Sequence, residues 1–289
     1  MKTFPVYSVD HFSCQNANGE LYANTFREHL KTHSFIEQSH RHDSHLLVFF
    51  THGSGNHEID FDVYPVSRGT MFVLQPGQMH NWELSADIEG FIVIFSAALY
   101  NLYFGEKQLE DYPFYAMQNT NPQIKFPDEA TKNLLQYFNQ MIEIASKNRA
   151  YHQDLTLNLL DCIHMEAATY FPDQPHTFHA YNHKIKQFTQ LLEHYFKTKK
   201  SASFYASKLS ITIKHLNRIC RETLEKTATQ VIAERIVLEV KRQLMNPNLS
   251  VNQIADSVGF EDYSYFTRFF KKNTGVTPVK FRTLKNKQA

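Results

Sequence analysis

Between Ser250 and Pro278 the chain can do few things other than form two short helices around a tight turn. Ser250 suits a helix N-cap and Gln253 follows three residues later, as a capping box requires. Ile254, Ala255 and Val258 form an apolar stripe, and Gly259 breaks the run at a point where positive φ costs glycine least. Asp262 is placed to cap a second helix. Phe266, Phe269 and Phe270 predict its buried face at i, i+3, i+4, and leave Ser264, Thr267, Arg268 and Lys271 on the others. Gly275 ends it, and Thr277-Pro278 starts another short helix. A basic second helix after such a turn fits a DNA-reading helix-turn-helix. The plainer alternative is an αα-hairpin with a solvated face.

Charge favours the first reading. From His183 to the end there are 20 Lys and Arg against 8 Asp and Glu, a net of +12. The remaining 10 basic and 21 acidic residues leave residues 1–182 at −11, so a net of only +1 hides two oppositely charged parts. That asymmetry marks a nucleic-acid-binding part joined to something else. Cys14, Cys162 and Cys220 lie far apart, which argues against a disulfide framework and fits a reducing compartment. The N-terminus lacks a signal-peptide apolar core, and no run approaches the ~20 apolar residues that span a bilayer. A cytoplasmic protein with no membrane partner is expected.

The residues Ile254-Ala255, Val258-Gly259-Phe260, Asp262, Ser264-Tyr265-Phe266, Arg268, Phe270-Lys271-Lys272, Gly275, Thr277-Pro278 and Phe281-Arg282 resemble, in one register, the C-terminal signature of AraC/XylS-type transcription regulators. An internal repeat precedes them. Ala206, Leu209, Ser210 and Ile211 echo Ala255, Val258, Gly259 and Phe260, and Leu216, Arg218 and Cys220 echo Phe266, Arg268 and Phe270. Ser210 stands where the turn glycine is usual, Glu225 where a glycine follows the recognition helix, and Cys220 where a core Phe is usual. These departures leave the fold expected but weaken the case for base reading by the first motif. Between the repeats, Val231 to Leu244 predicts one helix that holds the motifs at a fixed separation, ended by Asn246-Pro247-Asn248. Lys184 to Phe196 predicts the first helix of this part.

Upstream, Leu46–Phe50, Met71–Leu74 and Phe91–Phe95 read as strands separated by turns. His57 to Val63 alternates, with Ile59, Phe61 and Val63 on one face. Leu21 to Ile36 has weak periodicity and suggests short strands. Two phrases resemble the same family's cupin-like effector domain: His40-Arg-His42-Asp43, and Gly69 to Trp82. Metal-binding cupins use His-x-His, a Glu a few residues on, and a later His. His40, His42 and His80 match, but the Glu position falls at Leu46 or Leu47, and His45 is the remaining substitute. With the carboxylate missing, no metal and no cofactor are expected. His42, Phe72, His80 and Trp82 are the candidate effector-binding residues, with Phe91 a further aromatic that could line a pocket. Helical periodicity then takes over, with Leu134, Phe138 and Met141 on one face and, from Gln153 to Tyr170, Leu155, Leu159, Ile163 and Ala167 on another that Leu160 broadens. Phe171-Pro-Asp-Gln-Pro175 reads as a linker.

The expected fold class is thus α+β in two domains. Residues 1–178 form a cupin-like β-barrel with accessory helices at about 128–171, and residues 179–289 form an all-α double helix-turn-helix domain. The expected DNA-binding residues are Lys214, His215, Asn217, Arg218 and Arg221 in the first motif, and Tyr263, Ser264, Thr267, Arg268, Lys271 and Lys272 in the second. Double-stranded DNA, a small-molecule effector, a second copy of the chain and RNA polymerase are the candidate partners. The rival readings are a cupin-type metal enzyme fused to a DNA-binding domain, and an architectural binder without sequence preference.

Overall fold

Short alternating segments become strands in the first part of the chain, and 3.6-residue periodicity becomes helices in the second. The structure is a computed structural model describing residues 5–12, 20–33, 39–115, 121–147, 150–171 and 182–286. The described residues up to Phe171 and those from Asn182 onward belong to two compact units. Beyond Phe171 the expected linker lies outside the described residues, as does Cys14.

The first unit contains β1 (Val6–Tyr7), β2 (Leu21–Thr25), β3 (His40–His42), β4 (His45–His52), β5 (Gly55–Ile59), β6 (Asp62–Val66), β7 (Thr70–Leu74), β8 (Met79–Leu84), β9 (Glu89–Phe95) and β10 (Gln123–Lys125). They pair as two five-stranded sheets, β1-β3-β8-β5-β6 and β10-β7-β4-β9-β2. The sheets face one another as a flattened barrel. Leu46, Val48 and Phe50 of β4, Phe72 and Leu74 of β7, and Ile92 and Ile94 of β9 share an interior core with Ile59 and Val66 from the opposite sheet. Residues of the other parity, Leu47, Phe49, Met71, Val73, Phe91, Val93 and Phe95, face a second core closed by helices. Burial on both faces explains the unbroken apolar run from Leu46 to Phe50.

Those helices are α3 (Asp128–Ala145) and α4 (His152–Tyr170), with the shorter α1 (Phe26–Thr32) and α2 (Ala97–Phe104) at other edges. Phe138 of α3 stacks on Phe49 and Phe91 at ring separations of 5.4 and 5.0 Å. This placement makes Phe91 core packing, the plainer of the two readings of that aromatic, and not pocket lining. The alternation along β9 turns it toward α3, away from the interior between the sheets. On α4 the buried stripe is Leu157, Leu160, Ile163 and Ala167, while Leu155 is exposed, so the true face is rotated from the expected one. The rotation buries Asp161, which accepts from the hydroxyls of Tyr100 and Tyr112 and pairs with the Lys107 ammonium. Two further expectations are corrected. The stretch from His57 to Val63 is a hairpin, because Asp60 takes φ +53° and its carboxylate accepts from the Met79 N–H at 3.2 Å. Residues from Phe26 to Thr32 form a helix, capped by the Thr25 hydroxyl, where strands were expected.

The second unit is all-helical: α5 (Asn182–Tyr195), α6 (Ala202–Lys208), α7 (Ile213–Leu224), α8 (Ala228–Leu244), α9 (Val251–Ser257), α10 (Tyr263–Thr274) and α11 (Pro278–Asn286). The two motifs, α6–α7 and α9–α10, turn in the same way. Ile211 N–H donates to the Ala206 carbonyl at 3.0 Å, and Phe260 N–H to the Ala255 carbonyl at 2.9 Å. The residue inside each turn is left-handed, Ser210 at φ +54° and Gly259 at φ +71°. Helix α8 packs against α6, α7, α9, α10 and α11 and forms the spine. Arg282 of α11 caps that spine by donating to the carbonyls of Leu244 at 3.0 Å and Leu249 at 2.7 Å.

Candidate functional site

Helices α7 and α10 present matching outer faces. Each is capped by a side chain that accepts from the N–H three residues on, Thr212 from His215 at 3.1 Å and Asp262 from Tyr265 at 3.0 Å. Each buries a pair at i, i+4, Leu216 and Cys220 in α7 and Phe266 and Phe270 in α10, and α7 also buries Ile219. That anchorage exposes Lys214, Arg218 and Arg221 on α7, and Tyr263, Ser264, Arg268, Lys271 and Lys272 on α10. Phe269, expected in the core, is only half-buried, against the Phe260 ring at 5.1 Å.

Three expected DNA-binding residues sit differently. Asn217 turns toward α8, where its Oδ1 accepts from the Ala228 N–H at 3.0 Å and satisfies an N-terminal helix donor. Thr267 is half-buried, with its hydroxyl enclosed by protein. His215 is half-buried in the first turn of α7. Tyr265, not among the expected residues, is 55% exposed in the first turn of α10. Its place directly after Ser264 in the capped turn was the available signal, because the N-terminal residues of a recognition helix are those that meet base edges.

In the first unit, register assembles a second site. On β3, His40 and His42 point inward with Arg41 between them; on β8, His80 and Trp82 share the inward face. Pairing sets His40 opposite His80, and His57 of β5 opposite Trp82. The result is a group of buried imidazoles. The rings of His40 and His80 lie 4.3 Å apart, those of His40 and His42 5.0 Å, and those of His42 and His80 5.2 Å. His57 Nε2 lies 3.1 Å from His80 Nδ1, a hydrogen bond. Phe72 packs edge-on to His57 at 4.6 Å and Trp82 edge-on to His80 at 4.7 Å. Thus the four expected effector residues, His42, Phe72, His80 and Trp82, do meet in one place, together with His40 and His57. His57 was legible only as a member of the same alternating face as Ile59. His45 lies elsewhere, against Phe95 and Tyr115 of the helix-facing core, because it starts β4 on the other parity.

Burial, reinforced by neighbouring imidazoles, pushes His42, His57 and His80 well below the ordinary histidine range, and His29 beside them down to about 3. All four are neutral at pH 7 and carry lone pairs. One ring nitrogen from each of His40, His42 and His80 lies within 4.8 Å of the others, so these three residues could hold a metal ion. No carboxylate belongs to that group.

Comparison with known proteins follows the same division. Residues 24–160 match the AraC-like ligand binding domain and residues 205–283 a helix-turn-helix domain. The chain belongs to the AraC/XylS family of transcription regulators. The HTH-type transcriptional regulator YfiF of Bacillus subtilis is 22% identical over 258 residues, covering 85% of this chain and 78% of its own length. The transcriptional activator RhaR of Mannheimia succiniciproducens is 20% identical over 250 residues, covering 84% and 86%. PqrA of Proteus vulgaris, a probable transcription factor, is 37% identical over 68 residues, 24% of this chain and 56% of its own. The regulator's ligand-binding match contains the entire histidine group, and its helix-turn-helix match runs from α6 into α11, taking in both motifs.

Proposed function

We propose that this regulator reads a specific DNA site through the outer faces of α7 and α10, and that a ligand held among the inward side chains of β3, β5, β7 and β8 controls it. It is not an enzyme on this reading, and it works where its DNA is, in the cytoplasm; among the described residues no helix is long and apolar enough to cross a membrane. The observation that carries the proposal is the matched pair of capped helices whose basic residues stand clear of the core. Arg268 and Arg218 occupy corresponding places and are assigned to base edges, since Arg is the commonest reader of guanine in the major groove. Ser264 and Tyr265 stand in the first turn of α10 and Lys214 in that of α7, within reach of the same groove. Lys271, Lys272 and Arg221 are assigned to phosphates, which adds affinity without sequence information. A second copy of the chain is a further partner, supported by exposed Leu155 and Met165 on α4.

The test separates reading from gripping. Arg268→Ala should cost about 1–3 kcal/mol on the cognate site and much less on a scrambled duplex. Lys272→Ala should weaken both about equally and make the salt dependence shallower by about one. Binding isotherms on both duplexes at two salt concentrations decide it. Equal losses on both duplexes for Arg268→Ala would mean that this residue grips phosphate only.

A further inference from the structure

Register places His40, His42 and His80 so that three buried imidazoles converge, with one ring nitrogen of each within 4.8 Å of the others. Around a tetrahedral zinc-like ion, metal–nitrogen bonds of about 2.0–2.1 Å put ligand nitrogens about 3.3 Å apart and ring centres roughly 5 Å apart. Two of the ring separations, 5.0 and 5.2 Å, fit that triangle and the third, 4.3 Å, is shorter, so the rings would turn and His40 and His80 part slightly to bring their nitrogens from within 4.8 Å to ligand spacing. Two of the three residues also show nitrogens that nothing else uses. Neither ring nitrogen of His42 has a hydrogen-bond partner, and neither has His80 Nε2, although all are buried. Orphaned buried polar atoms are costly and call for an explanation such as an ion. The hydrogen bond between His80 Nδ1 and His57 Nε2 supplies the other half of the arrangement. In the tautomer in which His80 Nδ1–H donates to His57 Nε2, the lone pair of His80 is left on Nε2, the nitrogen that lacks a partner. Ligating histidines are ordinarily oriented in this way by a second group.

We propose that His40, His42 and His80 form an all-imidazole site for a late first-row divalent cation (cobalt, nickel, copper or zinc), with His57 as the positioning residue for His80. The expectation of no metal rested on the missing carboxylate. That residue is still missing, and its absence changes which ion fits. Imidazole alone suits zinc, copper and nickel, whereas magnesium and calcium need oxygen ligands. With only three protein ligands, the fourth position is left to water or an anion. The site deepens the effector-domain reading, on which its consequence for DNA binding rests, by giving the class of ligand as a metal ion or an anion held on one.

The test uses the full chain, stripped with chelator and titrated with cobalt(II), then with zinc as competitor. The expected result is one cobalt per chain with visible absorption of tetrahedral type, displaced by zinc and untouched by excess magnesium or calcium. X-ray absorption at the zinc edge should show three imidazoles in the unmutated protein, which needs no variant to fold. His42→Ala and His80→Ala should weaken binding at least 100-fold. His57→Phe should weaken it 10- to 100-fold, and His57→Gln, which keeps an acceptor for His80 Nδ1–H, should restore most of it. Absence of stoichiometric binding by the folded chain, fewer than three imidazoles at the edge, or binding indifferent to His42→Ala and His80→Ala would each overturn the proposal. DNA binding by the metal-free chain is read in parallel, so a failure of the DNA-reading assignment is seen separately from a failure of the metal site.

Discussion

Gly259→Ala tests the turn on which the second motif depends. Gly259 sits at φ +71°, where an L-residue costs about 1–2 kcal/mol. A Cβ there would lie 2.1 Å from the Lys197 carbonyl oxygen, far inside contact distance, so the 197–200 backbone would have to move. That movement also strains the bond from Lys200 Nζ to the Gly259 carbonyl and the placement of Lys200 over the Phe260 ring at 4.7 Å. Conformational and steric costs together should reach about 3 kcal/mol or more. Gly275→Ala is the matched control. Its φ is +82°, but nothing lies within 4 Å of the added Cβ, so only the conformational cost of about 1 kcal/mol applies. With a urea slope of roughly 1.5 kcal/mol per molar, the helical-unit midpoint should fall by about 2 M for Gly259→Ala and about 0.7 M for Gly275→Ala. Circular dichroism reports that transition. Trp82, the single tryptophan, belongs to the β-rich unit, and its fluorescence should show an unchanged transition. Indistinguishable midpoints for the two variants would refute the close-approach argument and leave backbone conformation as the sole constraint.

Asn217→Ala should lower helical-unit stability by about 1 kcal/mol through the lost bond to Ala228, with no difference between cognate and scrambled DNA; a selective loss on the cognate duplex, by isotherm, would restore Asn217 to the base-reading set. Asp262→Ala should cost about 1 kcal/mol as a lost N-cap, seen as a lower urea midpoint. The β-rich unit should lose stability on acidification. His164, fully buried with Nε2 on the Tyr115 hydroxyl, has its pKa pushed down to about 3 by burial, below its unfolded value of 6.5. The unfolded chain therefore takes up the proton first. Stability is complete above about 6.5 and falls as pH drops toward 3, by about 2 kcal/mol from this one group between pH 7 and 5. A Trp82 unfolding midpoint that stays flat over that window would contradict a neutral, buried His164.

Much of the helical unit is legible because its information is local. Ser250 with Gln253, Thr212 and Asp262 each act within one turn of themselves, and all three cap as their spacing implies. The turn at Gly259 is written in one residue, and the first motif makes the same turn with Ser210 at φ +54° and ends with Glu225 at φ +57°, so the missing glycines change strain and leave the path intact. What the residues by themselves determined, then, is the order of helices in the second unit, the two motifs and the outward placement of Arg218 and Arg268.

Tertiary structure decided the rest. Which flank of α7 meets α8 is a property of two helices together, and it took Asn217 out of the exposed set. The parity of β9 relative to α3 sent Phe91 to the helix-facing core, while α4 rotated to bury Asp161 against Tyr100, Tyr112 and Lys107. The histidine group depends on the mutual register of β3, β8 and β5, where a slip of one residue in any strand would turn its imidazoles away from the interior. Alternation within a strand tells which side chains share a face; it carries no information on which strand lies alongside or at what offset, because cross-strand pairing joins residues such as His40 and His80 that are remote along the chain.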